Sequence, residues 1–307
     1  MSRVLTPLIL FALAAALTAR PQDRPKIAAS PRAHDVSFHS ASLGRDMQYR
    51  VLLPAGYERN ALRYPVLYLL HGAWGGFTDW TRLTHIADGT DSLPLIVVMP
   101  DAENSWYINS GVKPQDRYED YVANDLIAEI DSKYRTVSAR RARAIAGISM
   151  GGYGAVLLGL KYPGRFSFVG SFGGALAATQ RDDEEMISPA FGPPGSSTRA
   201  ANDVLTLAQK KPARELPYFW LQCGTGDDNT TENRPFVAIL EQRKIAHNYM
   251  ESPGGHKWPV WDAQLPAMLS ELSRHTELAA KPAATLARRQ KKSRPAATQK
   301  PAARPVQ

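Results

Sequence analysis

Short apolar segments alternate along this chain with stretches of helical periodicity. Segments rich in β-branched and aromatic residues, each short enough to be a strand, lie at 49–53, 66–70, 95–99, 144–146, 168–172, 218–221 and 247–250. Apolar residues recur every fourth position from 118 to 134, and a second helical stretch from about 155 ends before Pro163 and Gly164. Strands that alternate with helices predict an α/β fold, with a mostly parallel sheet covered on both faces.

The basic charge of the chain is concentrated at its C-terminal end. The 307 residues carry a formal net charge of +8, and residues 281–307 contain eight Lys and Arg and no acid, so the rest of the chain is balanced. A nucleic-acid-binding domain would carry basic residues on its fold, so we exclude that class for the main body. The Ala-, Pro-, Lys- and Arg-rich segment 281–307 is predicted to be disordered. It either solubilises or tethers the protein, or contacts an anionic cell-surface polymer.

The N-terminus has the pattern of a secretory signal peptide. Arg3 precedes a mainly apolar run from 4 to 19 that ends in small residues. A membrane anchor is the alternative, but the run is shorter than the ~20 residues that span a bilayer. We predict a signal peptide at 1–19, a folded domain at 20–280 and a disordered tail at 281–307, with a secreted or periplasmic location.

Ser149 is the candidate nucleophile. It lies in the sequence Gly147-Ile148-Ser149-Met150-Gly151, between a predicted strand and a predicted helix. Small residues two positions before and after the serine allow a sharp turn that lifts its hydroxyl clear of the sheet. The G-x-S-x-G pattern alone is a weak signal, and its place between strand and helix gives it weight.

A serine nucleophile needs a base that accepts its proton and a carboxylate that orients the base. Asp227 and Asp228 follow the predicted strand 218–221, and spacing alone does not separate them. His256 lies in a Gly-rich turn after 247–250, which gives the chain order serine, acid, histidine. His71 competes as the base, but it precedes Ser149, so we assign it to shaping the loop after strand 66–70.

Main-chain donors beside Ser149 predict an oxyanion hole. The N–H groups of Ala73, in the loop after strand 66–70, and of Met150, at the start of the helix, are the natural pair. The single cysteine, Cys223, is interpreted as a small buried apolar residue. Because no His, Cys or Asp cluster has metal-ligand spacing, we expect no metal and no other cofactor.

Several segments together resemble the Putative esterase family of α/β-hydrolases. This family includes S-formylglutathione hydrolases, feruloyl, acetyl-xylan, tributyrin and enterochelin-type esterases, and mycolyltransferases. The matching segments extend over about 35–275 and lie at 68–80, 99–107, 118–135, 147–152, 223–227 and 254–261. The resemblance implies an α/β-hydrolase esterase domain and favours Asp227 over Asp228 as the acid.

The same resemblance implies that Trp80, Trp106 and Tyr107 line the substrate pocket, and the alternative is that these rings pack in the core. We predict a secreted serine carboxylic-ester hydrolase that acts through an acyl-enzyme on small-molecule or polysaccharide-linked esters, such as acetyl or feruloyl esters. An extracytoplasmic acyltransferase similar to the mycolyltransferases and a catalytically silent binding module remain alternatives. Segment 179–216 is expected to lie over the active site.

Overall fold

The computed structural model describes residues 27–183 and 185–278, together with the backbone of Lys281–Pro282. The predicted signal peptide at 1–19 and the predicted tail from 283 onward lie outside the described residues. Within the described part of the chain, no helix is both long enough and apolar enough to cross a membrane.

Two sheets contain the described strands. Their bounds are β1 Ala33–Ser40, β2 Arg45–Leu52, β3 Leu62–Arg63, β4 Val66–Leu70, β5 Ile96–Pro100, β6 Arg143–Ile148, β7 Phe168–Phe172, β8 Tyr218–Gly224, β9 His247–Ser252 and β10 Lys281–Pro282. The large sheet has the order β1-β2-β5-β4-β6-β7-β8-β9, and β3 pairs with β10. Strands β1 to β2 and β2 to β5 pair antiparallel, whereas the other neighbours in the large sheet are parallel. The predicted mostly parallel sheet is confirmed.

Helices lie between the strands of this sheet. The α-helices are α1 Asp79–Leu83, α2 Ile86–Gly89, α3 Tyr118–Asp120, α4 Ile127–Lys133, α5 Met150–Lys161, α6 Ser188–Phe191, α7 Ser197–Ala201, α8 Val204–Lys210, α9 Thr230–Gln242 and α10 Trp258–His275. A π-helical segment, Tyr121–Leu126, joins α3 to α4. Short 3-10 turns occur at Tyr57–Arg59, Arg140–Ala142, Ala178–Gln180 and Ala213–Glu215.

The π-helical segment explains the four-residue spacing in the sequence. An α-helix advances 100° per residue, so apolar residues four apart drift by about 40° at each step. The wider π turn corrects this drift, and Tyr118, Val122, Leu126 and Ile130 all remain buried.

Buried apolar residues form one cluster on each face of the large sheet. Alternate residues of β4 belong to different clusters: Tyr68 lies in the cluster that includes residues of α5 and α9, whereas Leu67 and Leu69 lie in the cluster that includes residues of α10. Because successive side chains of a strand point to opposite faces, both faces are covered, as the fully apolar strand predicts.

Three described strands, β1, β3 and β10, have no counterpart in the sequence prediction. Strand β1 has no counterpart among the predicted strands, because it is an edge strand with mainly exposed or half-buried residues and lacks an apolar run. Lys281–Pro282 form β10, so the prediction of disorder from 281 onward is wrong for these two residues. Strand pairing uses main-chain atoms and needs no large apolar side chain.

Candidate active site

Ser149 lies in a strained turn between β6 and α5. Its φ of 52° and ψ of −118° place a non-glycine residue at positive φ. The turn is held because the Ser149 N–H donates to the Phe172 carbonyl (3.0 Å). Its flanking glycines are needed sterically: a Cβ at Gly147 would lie 2.4 Å from the Gly151 carbonyl oxygen, and one at Gly151 would lie 2.5 Å from that of His71.

The structure brings Ser149, His256 and Asp227 together from three different strand ends. Ser149 Oγ is 2.9 Å from His256 Nε2, and His256 Nδ1 is 2.8 Å from Asp227 Oδ2. Asp227 is buried, and its other oxygen accepts the Asn229 N–H at 2.9 Å. Asp228 is exposed to solvent. This arrangement can hold the His256 proton on Nδ1 and leave Nε2 free to accept the Ser149 proton.

Gly173, at the end of β7, makes room for the His256–Asp227 pair. Its φ is +51°, and a Cβ there would lie 2.7 Å from Asp227 Oδ2 and 3.4 Å from His256 Nδ1. The Asn229 side chain donates to the Gly173 carbonyl at 2.8 Å and fixes this approach. Gly173 was not predicted from the sequence. Its position directly after a buried strand could have indicated it, because the ends of parallel strands surround the site.

The N–H groups of Ala73 and Met150 lie beside Ser149 without hydrogen-bond partners among the described residues. Met150 begins helix α5, so its N–H lies at the positive end of the helix dipole. A Cβ at Gly72 would lie 3.3 Å from Ser149 Cβ, so the loop that contains Ala73 passes next to Ser149. Two free donors in this position can stabilise a developing oxyanion.

The loop that contains Ala73 is held by contacts with the loop after β5. His71 is buried, and its Nε2 accepts the Ala102 N–H at 3.0 Å. The Tyr107 hydroxyl donates to the His71 carbonyl at 2.9 Å, and the Trp74 N–H donates to Asn104 Oδ1 at 2.8 Å. His71 therefore supports the loop, as the sequence indicated.

The prediction that Trp80, Trp106 and Tyr107 line the pocket is wrong. All three side chains are buried in the core. The indole N–H groups of Trp80 and Trp106 donate to the Leu70 carbonyl (3.0 Å) and the Met186 carbonyl (2.8 Å). Their large rings fill the core while their polar atoms bind the main chain, which is the usual behaviour of a buried Trp or Tyr.

Other residues surround Ser149. The cleft beside it is lined by Gly72, Ala73, Trp74, Gly75, Asp79, Ile148, His256, Trp258 and Trp261. Sequence reasoning missed the three tryptophans, although Trp258 and Trp261 lie within a segment of the family resemblance and Trp74 directly follows Ala73. The Trp261 ring packs edge-on against His256, with centroids 4.9 Å apart.

Segment 179–216 was expected to lie over the active site. None of its described residues lines the cleft beside Ser149, but Pro189 and Ala190 line a second cleft together with Asn104. The segment forms α6, α7 and α8 and is held together by buried Arg199, which donates to the carbonyls of Gly192 (3.0 Å) and Thr179 (3.3 Å).

Cys223 is buried, and burial raises the pKa of its thiol to about 12. Among the described residues, no group of three or more His, Cys, Asp or Glu side chains could hold a metal ion.

A mostly parallel sheet with a strained serine turn after one strand, and an acid and a histidine after later strands, defines an α/β-hydrolase fold. Residues 40–272 match the family model described as Putative esterase, and the chain belongs to that family. The protein is a carboxylic ester hydrolase.

Three known proteins illustrate the similarity. The acetyl esterase of Caldicellulosiruptor saccharolyticus is 28% identical over 74% of this chain and 92% of its own length. The endo-1,4-beta-xylanase/feruloyl esterase of Xylanibacter ruminicola is 36% identical over 77% of this chain, a match that spans only 31% of that longer protein. A solved ferulic acid esterase aligns with a TM-score of 0.68 and 26% identity over 79% of this chain and 98% of its own.

Proposed function

We propose that this protein is a serine esterase that removes short acyl groups from carbohydrate-linked esters, with Ser149 as nucleophile, His256 as base and Asp227 as the orienting acid. The observation that carries the proposal is the continuous hydrogen-bonded chain Ser149–His256–Asp227, with distances of 2.9 and 2.8 Å. A serine hydroxyl is a weak nucleophile until such a base takes its proton.

The reaction follows from these contacts. His256 Nε2 accepts the Ser149 proton as Oγ attacks the ester carbonyl, and the N–H groups of Ala73 and Met150 donate to the resulting oxyanion. His256 then gives the proton to the departing alkoxide oxygen, which leaves an acyl group on Ser149. Water attacks this acyl-enzyme with His256 again as base, and the bond between the acyl carbon and Ser149 Oγ then breaks. His256 returns the proton to Oγ, and the acid product leaves.

The residues around Ser149 support a short acyl group and a sugar-linked alcohol. Three small residues, Gly72, Ala73 and Gly75, line one part of the cleft, and three tryptophans supply flat apolar surfaces. The names of two relatives support this choice: one is an acetyl esterase, and the other combines a feruloyl esterase with a xylanase. We take acetyl as the acyl group and feruloyl as the competing choice.

Export is part of the proposal. The charged, apolar and small-residue regions of segment 1–19 occur in the order of a signal peptide. Fusing residues 1–30 to a periplasmic reporter tests it: we expect export and cleavage near residue 19, and retention of the uncleaved fusion in the cytoplasm would contradict it.

The esterase proposal is tested by hydrolysis of p-nitrophenyl acetate, butyrate and octanoate and of methyl ferulate. We expect the highest kcat/KM with acetate and a loss of about 10⁴-fold or more in Ser149→Ala. Activity retained in Ser149→Ala would overturn the serine mechanism, and a preference for methyl ferulate would replace acetyl by feruloyl. A sugar acceptor in the same assay separates hydrolysis, which releases only free acid, from acyl transfer.

A further inference from the structure

Trp74 combines two unfavourable features in one residue. Its φ is +61°, in the left-handed region that bulky residues rarely adopt. Its side chain is 78% exposed, the largest exposure among the large hydrophobic residues that the structure describes. No aromatic ring contact among the described residues involves it, so core packing does not compensate for these features. Strain of this kind at the edge of a cleft is a reason to look for a function.

The position of Trp74 relates it to the reaction. It directly follows Ala73 and lines the cleft that contains Ser149 and His256. Its N–H donates to Asn104 Oδ1 at 2.8 Å, so the main chain that presents the indole is fixed. An exposed side chain on a fixed main chain is suited to contact a ligand rather than to cover the core.

Asn104 also borders a second cleft. Its other lining residues include Glu103, Ser110, Lys113 and Asp116. Among the described residues, no hydrogen bond or ion pair engages the ammonium group of Lys113 or the carboxylate of Asp116. Trp74 therefore lines the cleft that contains Ser149, and its main chain is hydrogen-bonded to Asn104, which lines the second cleft with its free polar groups.

We propose that Trp74 stacks on a pyranose ring of the ester's alcohol part and that the second cleft binds the next sugar units of the same chain. This inference rests on the proposed esterase function and adds the place where the carbohydrate binds. The negative face of an indole attracts the weakly positive C–H face of a sugar ring. Lys113 and Asp116 can exchange hydrogen bonds with sugar hydroxyls.

The exposure of Trp74 assigns it to the alcohol part of the ester rather than to the acyl group. A polysaccharide is too large to enter the catalytic cleft, so only the acyl group and its ester bond reach Ser149. The sugar chain stays at the rim, where Trp74 is exposed. Trp74 is accordingly a specificity-determining residue that touches substrate away from the reacting bond.

The test compares a substrate with a sugar alcohol and one without. Wild type, Trp74→Ala and Trp74→Phe are assayed with O-acetylated xylotetraose and with ethyl acetate. We expect Trp74→Ala to lower kcat/KM for the tetraose about 3- to 10-fold, mainly through KM, with ethyl acetate changed less than about twofold. Trp74→Phe retains an aromatic face and is expected to recover part of the loss.

Val112→Ala is the matched control, because Val112 is the other large exposed hydrophobic residue among those the structure describes, at 50%, and lines neither the Ser149 cleft nor the second cleft. It should leave both substrates unchanged. Equal losses on both substrates in Trp74→Ala would show that Trp74 acts only through the loop that contains Ala73 and would overturn sugar stacking. No loss on either substrate would also overturn it. A wild-type enzyme that hydrolyses neither ester would instead contradict the proposed function.

The second cleft has a separate test. Lys113→Ala and Asp116→Ala should lower kcat/KM for acetylated xylotetraose and leave acetylated xylose unchanged, because only the longer chain reaches beyond Trp74. Equal kcat/KM values for the two sugars in the wild type, or no effect of either variant, would overturn the assignment of further sugar units to this cleft.

Discussion

Two of the described histidine–aspartate pairs, His256–Asp227 and His85–Asp262, have nearly the same local geometry and different surroundings. His256 Nδ1 lies 2.8 Å from Asp227 Oδ2, and His85 Nδ1 lies 2.6 Å from Asp262 Oδ2. In the first pair the carboxylate is buried and the opposite ring nitrogen contacts Ser149. In the second pair the His85 side chain is 63% exposed, and Asp262 Oδ1 also accepts the main-chain N–H of His85 at 2.7 Å.

The difference lies in what surrounds each pair, and it separates the proposed catalytic pair from a structural one. The His85–Asp262 pair ties the start of α2 to α10, and no hydroxyl of the described residues hydrogen-bonds to its free ring nitrogen. The His256–Asp227 pair has a buried carboxylate, the Ser149 hydroxyl and free main-chain donors in one place. A histidine–aspartate pair alone is therefore not sufficient evidence of an active site. The group that contacts the other ring nitrogen, Nε2, separates the two cases.

Replacing each carboxylate by an amide should give the largest difference in activity between the two pairs. We expect Asp227→Asn to lower kcat/KM for p-nitrophenyl acetate by about 10⁴-fold, because the amide favours the wrong His256 tautomer. Asp262→Asn is the matched control and should stay within about twofold of wild type. The assignment of the acid fails if Asp262→Asn or Asp228→Asn is the more damaging variant.

Crowding the buried pair should have a smaller effect. Gly173→Ala would place a Cβ 2.7 Å from Asp227 Oδ2 at a φ of +51°. We expect a loss of about 1–3 kcal/mol in the free energy of unfolding in urea. We also expect a clear fall in kcat, because the His256–Asp227 hydrogen bond is displaced. Gly164→Ala is the control, since a Cβ there meets nothing within 4 Å. Equal behaviour of the two variants would contradict the steric role of Gly173.

The exposed pair should give the smallest effect, visible as a pH dependence. The hydrogen bond with Asp262 raises the pKa of His85, and the charges of Asp262 and Asp88 act in the same direction. The stabilisation is present below the unfolded histidine pKa of about 6.5 and is lost as pH rises through the higher folded pKa. Because the pair is exposed, we expect less than about 1 kcal/mol.

An NMR titration of His85 in wild type and Asp262→Asn measures this effect. The pKa should lie above 6.5 in the wild type and fall in the variant. An unchanged His85 pKa in Asp262→Asn would show that the pair does not contribute to the pH dependence of stability.

Local sequence was sufficient where the chain's own chemistry leaves few choices. The apolar segments at 66–70 and 168–172 coincide with β4 and β7. The G-x-S-x-G sequence marked the turn at Ser149 because only very small residues fit the contacts at Gly147 and Gly151. The family resemblance indicated Asp227, the carboxylate that the structure places beside His256.

Local sequence was insufficient where the same residue type can serve opposite purposes. Trp80 and Trp74 are both tryptophans close to the loop after β4, yet one is fully buried and the other is 78% exposed. Nothing in their immediate neighbours separates them. The Trp80 indole N–H donates to the Leu70 carbonyl inside the core, whereas Trp74 is exposed on a main chain whose N–H donates to Asn104. Positive φ alone does not decide this, because Trp106 and Tyr107 also have positive φ and are buried.

The sequence by itself determined the α/β architecture, the turn at Ser149 and the order of the three polar residues, because strand length, residue size and chain order are local properties. Only the tertiary structure decided which aromatic side chains line the cleft, that Gly173 makes room for Asp227, and that Asn104 supports the Trp74 loop. These depend on contacts between strand ends distant in the sequence, where a difference of one ångström decides whether a side chain is buried, displaced or free to bind substrate.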